Sequence, residues 1–222
     1  MFKLTKQMLA QYIDHTLLKA DAGDEDLKKL CKEARELGVF SVCVNPCNVE
    51  KAKKYLETDE VKVAAVVGFP LGQTTMESKA YETHEAIFNG ADEIDMVINV
   101  GRLKDKDYEY VKDDISAVVL AAKGHVVKVI LETCLLDEDE KIMACQLAQA
   151  AGAAFVKTST GFSTSGAHIE DIKLMRATVG EKMGVKASGG IRTLKDAVKM
   201  IDAGATRLGL SATVNILNEL DE

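Results

Sequence analysis

Five short runs in this chain each set one charged side chain against aliphatic neighbours. They are Ile13-Asp14-His15, Ile94-Asp95-Met96, Val127-Lys128-Val129, Phe155-Val156-Lys157-Thr158-Ser159 and Val185-Lys186-Ala187-Ser188. Successive side chains of a strand point to opposite faces. Lys157 therefore shares a face with Phe155 and Ser159, and Lys186 opposes Val185 and Ala187. Asp14, Asp95 and Lys128 are set apart in the same way. Lysine and aspartate are rarely buried without a partner. A single lysine at a strand end can snorkel to solvent. Three lysines and two aspartates in one phase point instead to a shared charged site, where pKa values are commonly perturbed.

Two lysines on neighbouring strands suit one kind of chemistry. An ordinary lysine, with a pKa of about 10.4, is almost wholly protonated at neutrality and is no nucleophile. Burial and a neighbouring cation lower that value and free the amine to attack a carbonyl and form an imine. A second lysine depresses the first, while an aspartate balances the charge and relays protons. These are the requirements of a metal-free aldolase. Parity alone does not say which lysine attacks.

The elements that must bring these residues together recur along the chain as a β-branched run, a polar or Gly-bearing turn and an amphipathic stretch. The strands expected are Tyr12–Leu18, Ser41–Asn45, Lys62–Phe69, Glu93–Ile98, Val126–Leu131, Phe155–Ser159, Val185–Ser188 and Arg207–Ser211. Helical patterns cover Glu25–Leu37, Met76–Asn89, Asp107–Ala122, Asp137–Ala150, Ile169–Val179, Leu194–Ala203 and a closing helix from Ala212. Exits such as Leu37-Gly38 and Ala203-Gly204-Ala205 supply the left-handed stop at helix ends. Eight strands alternating with helices imply a parallel sheet, and no break suggests a second domain. The expected architecture is α/β: a single (β/α)8 TIM barrel over 1–222 with a short N-terminal helical segment. In such barrels chemistry sits at the carboxyl ends of the strands.

Those ends carry a second signal. Thr160-Gly161, Ser188-Gly189-Gly190 and Gly209-Leu210-Ser211 follow the sixth, seventh and eighth strands, where these barrels often bind phosphate. Glycine lets backbone amides approach an anion closely, and Ser211, at the expected start of the last helix, could donate a hydroxyl. Gly161, Ser188, Gly189, Gly190, Gly209 and Ser211 are the candidate phosphate ligands. Arg192 could contact phosphate too, although an arginine in a turn more often pairs with a surface acid.

The bulk numbers narrow the remaining classes. A net charge of −7 argues against nucleic acid or an anionic membrane as partner. The five cysteines, Cys31, Cys43, Cys47, Cys134 and Cys145, form no paired or zinc-spaced framework, and His15, His84, His125 and His168 are scattered. Neither a metal nor a cofactor is expected. Residues 1–20 hold no signal-like apolar core, and no apolar run approaches the ~18 residues of a membrane span. A cytoplasmic location follows as the expectation.

The same strings resemble the class I, Schiff-base 2-deoxyribose-5-phosphate aldolase family. The likeness covers Tyr12-Ile13-Asp14-His15-Thr16-Leu17-Leu18, Val42-Cys43-Val44-Asn45-Pro46, Val67-Gly68-Phe69-Pro70-Leu71-Gly72 and Gly90-Ala91-Asp92-Glu93-Ile94-Asp95. It continues through Phe155-Val156-Lys157-Thr158-Ser159-Thr160-Gly161 and Val185-Lys186-Ala187-Ser188-Gly189-Gly190-Ile191-Arg192-Thr193. The resemblance implies that Lys157 carries the Schiff base and that Asp95 and Lys186 pass protons. Lys128 and Asp14 would tune the relay, and Thr16 or Thr158 would orient a hydroxyl or water. Strand parity sets Cys43 on the inward face of the second strand with Ser41 and Asn45, close to where acetaldehyde is handled. A thiol there is expected to be alkylated slowly by enals formed from excess acetaldehyde. The implied reaction is reversible cleavage of 2-deoxy-D-ribose 5-phosphate, a small phosphosugar, with a homodimer as a possible assembly. Some family members carry a lysine where this chain has Phe162, and a second serine where it has Ala212. Another Schiff-base aldolase, or a phosphosugar-binding barrel without turnover, is the alternative.

Overall fold

Eight parallel strands pair in sequence order, and the last returns to the first to close a barrel. The computed structural model describes residues 4–57 and 60–220. The strands are β1 (Ile13–Leu17), β2 (Ser41–Val44), β3 (Lys62–Val67), β4 (Glu93–Val97), β5 (Val126–Ile130), β6 (Phe155–Lys157), β7 (Gly184–Ser188) and β8 (Arg207–Leu210). The helices are α1 (Lys6–Ala10), α2 (Asp24–Leu37), α3 (Val49–Leu56), α4 (Met76–Phe88), α5 (Val100–Lys104), α6 (Tyr108–Ala121), α7 (Glu138–Ala150), α8 (Ile169–Val179), α9 (Leu194–Asp202) and α10 (Thr213–Asn218). No helix of the described residues is long and apolar enough to cross a membrane.

Local chemistry explains where the long helices begin and end. In α2, three acids occupy the first turn, where the helix dipole favours them, and Asp26 accepts from the Gly23 amide at 2.9 Å. Leu27, Leu30, Cys31 and Ala34, spaced one helical face apart, are all buried, and Gly38 closes the helix at φ 62°. Asp137 and Glu140 cap α7 reciprocally, each carboxylate accepting the other's amide at 2.9 Å.

Strand parity divides the barrel. Val42, Val44, Val63, Ala65, Ile94 and Val129 are among the buried strand residues that pack with helical side chains into the main apolar layer. The opposite parity turns inward and carries charge, with a small apolar satellite of Leu18, Cys43, Ala64 and Val66.

Most expected strands overrun the ladder at their carboxyl ends, the sixth by two residues: it stops at Lys157 and leaves Thr158 and Ser159 in the loop. Those end residues leave the ladder to build the site. The closing helix begins at Thr213, so Ser211 precedes its cap, Ala212. Helices α3 and α5 were not expected from sequence: α5 has five residues, too few for an apolar period, whereas α3 buries Val49, Ala52 and Leu56 on one face and was overlooked. Gly72 has a steric necessity: a Cβ there would lie 1.9 Å from the Ile98 carbonyl oxygen.

Candidate active site

The inward side chains form one continuous ion network. Asp95 stands at its centre: Oδ1 accepts from Lys128 at 2.8 Å, and Oδ2 accepts from both Lys157 and Lys186 at 2.7 Å. Asp14 accepts from Lys186 through Oδ2 and from Arg207 through Oδ1 at 2.9 Å. Glu93 Oε2 faces Lys128 at 2.6 Å and Arg207 at 3.1 Å. All seven groups are buried. Breaking such a network by removing one partner costs about 3–5 kcal/mol, because it strands a charge.

Three carboxylates therefore face four cations, and one positive charge is in excess. Burial pushes the Lys157 ammonium below the ordinary lysine value; Asp95 opposes this and Lys186 adds to it. Burial also acts against the Lys186 charge, but Asp14 and Asp95 outweigh it and hold that lysine above the ordinary value. Burial likewise opposes Asp95, yet its three lysines hold it well below the usual carboxylate range. Of the four cations, Lys157 is the one whose charged form is disfavoured, and loss of its proton would leave three anions against three cations. This ranks the two lysines, which parity could not do.

A cavity of about 510 Å³ opens over this network at the carboxyl ends of the strands. Of the three interior lysines only Lys157 lines it. The wall continues through Thr16, Gly161, Ser188, Gly189, Gly190, Gly209 and Ser211, so every candidate phosphate ligand borders the same space. Gly161, Gly189 and Gly190 have φ of 85°, 83° and 79°, a region that favours glycine. Gly209 also makes room for the relay: a Cβ would lie 2.9 Å from Lys186 Cε.

Several expected details change. The Thr158 hydroxyl is engaged by the backbone of Ser188, accepting from its amide at 3.1 Å and donating to its carbonyl at 3.2 Å. It braces β6 against β7 instead of pointing at a hydroxyl or water. Ser188 donates to the Ser159 carbonyl at 2.6 Å, so its hydroxyl is likewise occupied. Thr16 lines the cavity while donating to the Asp14 carbonyl at 2.9 Å. Cys43 does face inward, but burial raises its thiol pKa and Asp95 adds to this, which keeps the protonated, unreactive form. That works against alkylation. Arg192 lines the cavity and pairs with no acid among the described residues.

Four contributors were missed. Glu93 and Arg207 share the parity of Asp95 and Gly209, two residues earlier in each strand, so parity could have found them. Lys19 brings a further cation to the cavity rim, from a loop without a periodic signal. Glu132 is buried at φ 58° and accepts from both the amide (3.2 Å) and the hydroxyl of Thr160. The Thr160 oxygen in turn accepts from the Phe162 amide at 3.0 Å, which fixes the turn around Gly161.

Comparison with known proteins gives a consistent picture. A family model described as DeoC/LacD family aldolase matches residues 8–219. The deoxyribose-phosphate aldolase of Clostridium perfringens (strain SM101 / Type A) is 64% identical over 214 residues, 96% of each chain. Among solved structures, a Coccidioides immitis protein has a TM-score of 0.96 at 47% identity, covering 99% of this chain and 88% of its own. The deoxyribose phosphate aldolase of Aeropyrum pernix, described as a tetramer, has a TM-score of 0.92 at 37% identity, covering 98% and 93%.

Proposed function

The chain belongs to the DeoC/LacD family of aldolases, and from that premise we propose that Lys157 is its Schiff-base nucleophile, with Asp95 and Lys186 as the proton relay. The enzyme is a lyase that reversibly cleaves 2-deoxy-D-ribose 5-phosphate to acetaldehyde and D-glyceraldehyde 3-phosphate, a step of deoxyribose phosphate catabolism. One observation carries the assignment of roles: Lys157 is both the interior lysine that borders the cavity and the one whose charge the network has in surplus.

The steps follow from that arrangement. Neutral Lys157 Nζ attacks the aldehyde carbon of the open-chain sugar to give a carbinolamine. The Lys186 ammonium gives a proton to the departing hydroxyl, and water leaves as the iminium forms. Lys186, now neutral, recovers a proton from the carbon 3 hydroxyl through Asp95 and a water. The carbon 2–carbon 3 bond breaks, its electron pair moves into the iminium to form the enamine, and glyceraldehyde 3-phosphate departs. Lys186 then protonates carbon 2, and water releases acetaldehyde from the renewed iminium. Lys128 and Asp14 hold the relay in place from the far side. Release of acetaldehyde from 2-deoxy-D-ribose 5-phosphate tests the activity; absence of turnover with retained binding would favour a regulatory barrel.

The phosphate goes to the rim formed by Gly161, Ser188, Gly189, Gly190, Gly209 and Ser211, with Lys19 and Arg192 as nearby cations. Backbone amides of the glycine turns and the Ser211 hydroxyl are its donors. Inorganic phosphate should compete with substrate, and kcat/KM for 2-deoxyribose should fall at least about 100-fold below that for the 5-phosphate. That is the loss of roughly two charge-assisted hydrogen bonds. Equal kcat/KM for the two sugars would remove the phosphate assignment.

The iminium supplies the electron sink, and Asp14, Glu93 and Asp95 are each engaged by lysine or arginine. Activity should therefore survive prolonged EDTA treatment; a loss restored by added zinc would overturn this mechanism. The same reading takes residues 1–222 as one domain and the enzyme as cytoplasmic, acting on a free phosphosugar. It takes the assembly as a homo-oligomer, a homodimer at the least, to be checked by sedimentation.

A further inference from the structure

Glu93 and Arg207 are the first residues of β4 and β8, at the end of the barrel away from the cavity, and neither lines it. Arg207 is sealed there, its guanidinium 3.5 Å above the Phe40 ring centroid and 5.4 Å from that of Phe155. It bonds Asp14 Oδ1 and Glu93 Oε2, and the same Glu93 oxygen holds Lys128. Asp14 and Lys128 are the groups that flank the Asp95–Lys186 relay from below.

We propose that the Glu93–Arg207 pair is a positioning device that sets the protonation of Lys157 from the opposite end of the barrel. This rests on the assignment of Lys157 as nucleophile. Lys157 meets Asp95 on β4, Lys186 on β7 and Cys43 on β2. Behind these stand Asp14 on β1, Glu93 on β4, Lys128 on β5 and Arg207 on β8, while β3 adds apolar Ala64 and Val66 and, at its start, the half-buried Lys62. With Arg207 in place, three other cations already satisfy three carboxylates, and Lys157 is free to be neutral. Without Arg207, the same carboxylates have only two fixed cations and recruit Lys157 as the third. Without Glu93, the positive excess grows and Lys157 loses its proton more readily. Low dielectric in the interior lets such a charge act over the width of the barrel.

The two partners of one ion pair should therefore displace the pH profile in opposite directions. Arg207→Met should move the acidic limb of kcat/KM upward, and Glu93→Gln should move it downward. Each shift should be on the order of one pH unit, the scale on which a single charge across a protein interior acts at an effective dielectric of about 20. The double variant should return close to the original limb. Damage to packing lowers activity in both single variants but produces no opposed displacement. Arg207→Lys keeps the charge and should leave the limb in place. Should Arg207→Met fail to fold, the downward shift in Glu93→Gln against the fixed limb in Arg207→Lys decides the matter.

Limbs that stay put, or move the same way in both single variants, overturn the inference. Borohydride trapping with acetaldehyde separates the two levels of the claim. An unmoved limb with the adduct still on Lys157 defeats the positioning role alone. An adduct on another lysine of the unaltered enzyme defeats the nucleophile assignment beneath it.

Discussion

Lys157→Leu is expected to lose turnover by roughly 10⁴-fold or more, the scale on which removal of a covalent nucleophile is felt, while the protein stays folded. The second half of that result follows from the charge count. Lys157 is the surplus cation of the interior, and its Asp95 oxygen remains bonded to Lys186 at 2.7 Å after the substitution. No buried charge is stranded, so the usual 3–5 kcal/mol penalty for breaking a buried pair does not arise. A thermal midpoint at or above that of the unaltered enzyme, together with abolished acetaldehyde release, is the outcome to look for. A variant that retains more than a few per cent of turnover would show that another amine attacks.

Lys186→Leu should fail differently. It removes the donor for carbinolamine dehydration and for the enamine, so most turnover disappears, by about 10²–10⁴-fold as for other general acids and bases. It also leaves Asp14 Oδ2 with only Lys128, at 3.6 Å, and gives the Asp95 Oδ2 oxygen to Lys157 alone. The Lys157 ammonium is then better stabilised, so the neutral amine prevails only at higher pH. Adduct with acetaldehyde should still form, more slowly, with its acidic limb moved upward. Asp14 keeps Arg207 at 2.9 Å and Asp95 keeps Lys128 at 2.8 Å and Lys157 at 2.7 Å, so the loss of stability should stay below the ~3–5 kcal/mol of a stranded buried charge. Adduct formation that ceases altogether in folded Lys186→Leu, or a limb that moves downward, would contradict the division of roles.

The sequence made the inward charges legible because a period of two has only two phases. Asp14, Asp95, Lys128, Lys157 and Lys186 all fall in the phase opposite to Val and Ile, and all five meet in the interior. Glu93 and Arg207 escaped although their phase is the same. Each opens a strand, where a charged residue ordinarily faces solvent, and only closure of β8 onto β1 carries Arg207 to Asp14. Closure is a property of eight strands together and leaves no mark on any one of them. The backbone partners of the Thr158 and Ser188 hydroxyls were not legible for a related reason: they belong to the neighbouring strand or its loop. The register that brings them close is set elsewhere in the chain. Glu132 gives no periodic signal, since it stands alone in a turn at positive φ.

Borohydride reduction in the presence of acetaldehyde, followed by peptide mapping, identifies the lysine that forms the imine. Attack by the amine, loss of water and hydride reduction leave one ethyl group on the lysine that formed the imine. This group should lie on Lys157, at one per chain, and 2-deoxy-D-ribose 5-phosphate added beforehand should compete with its formation. An ethyl group on Lys186 would exchange the roles of the two lysines. Labelling spread over surface lysines, with Lys157 unmodified and activity intact, would contradict a Schiff base at this site.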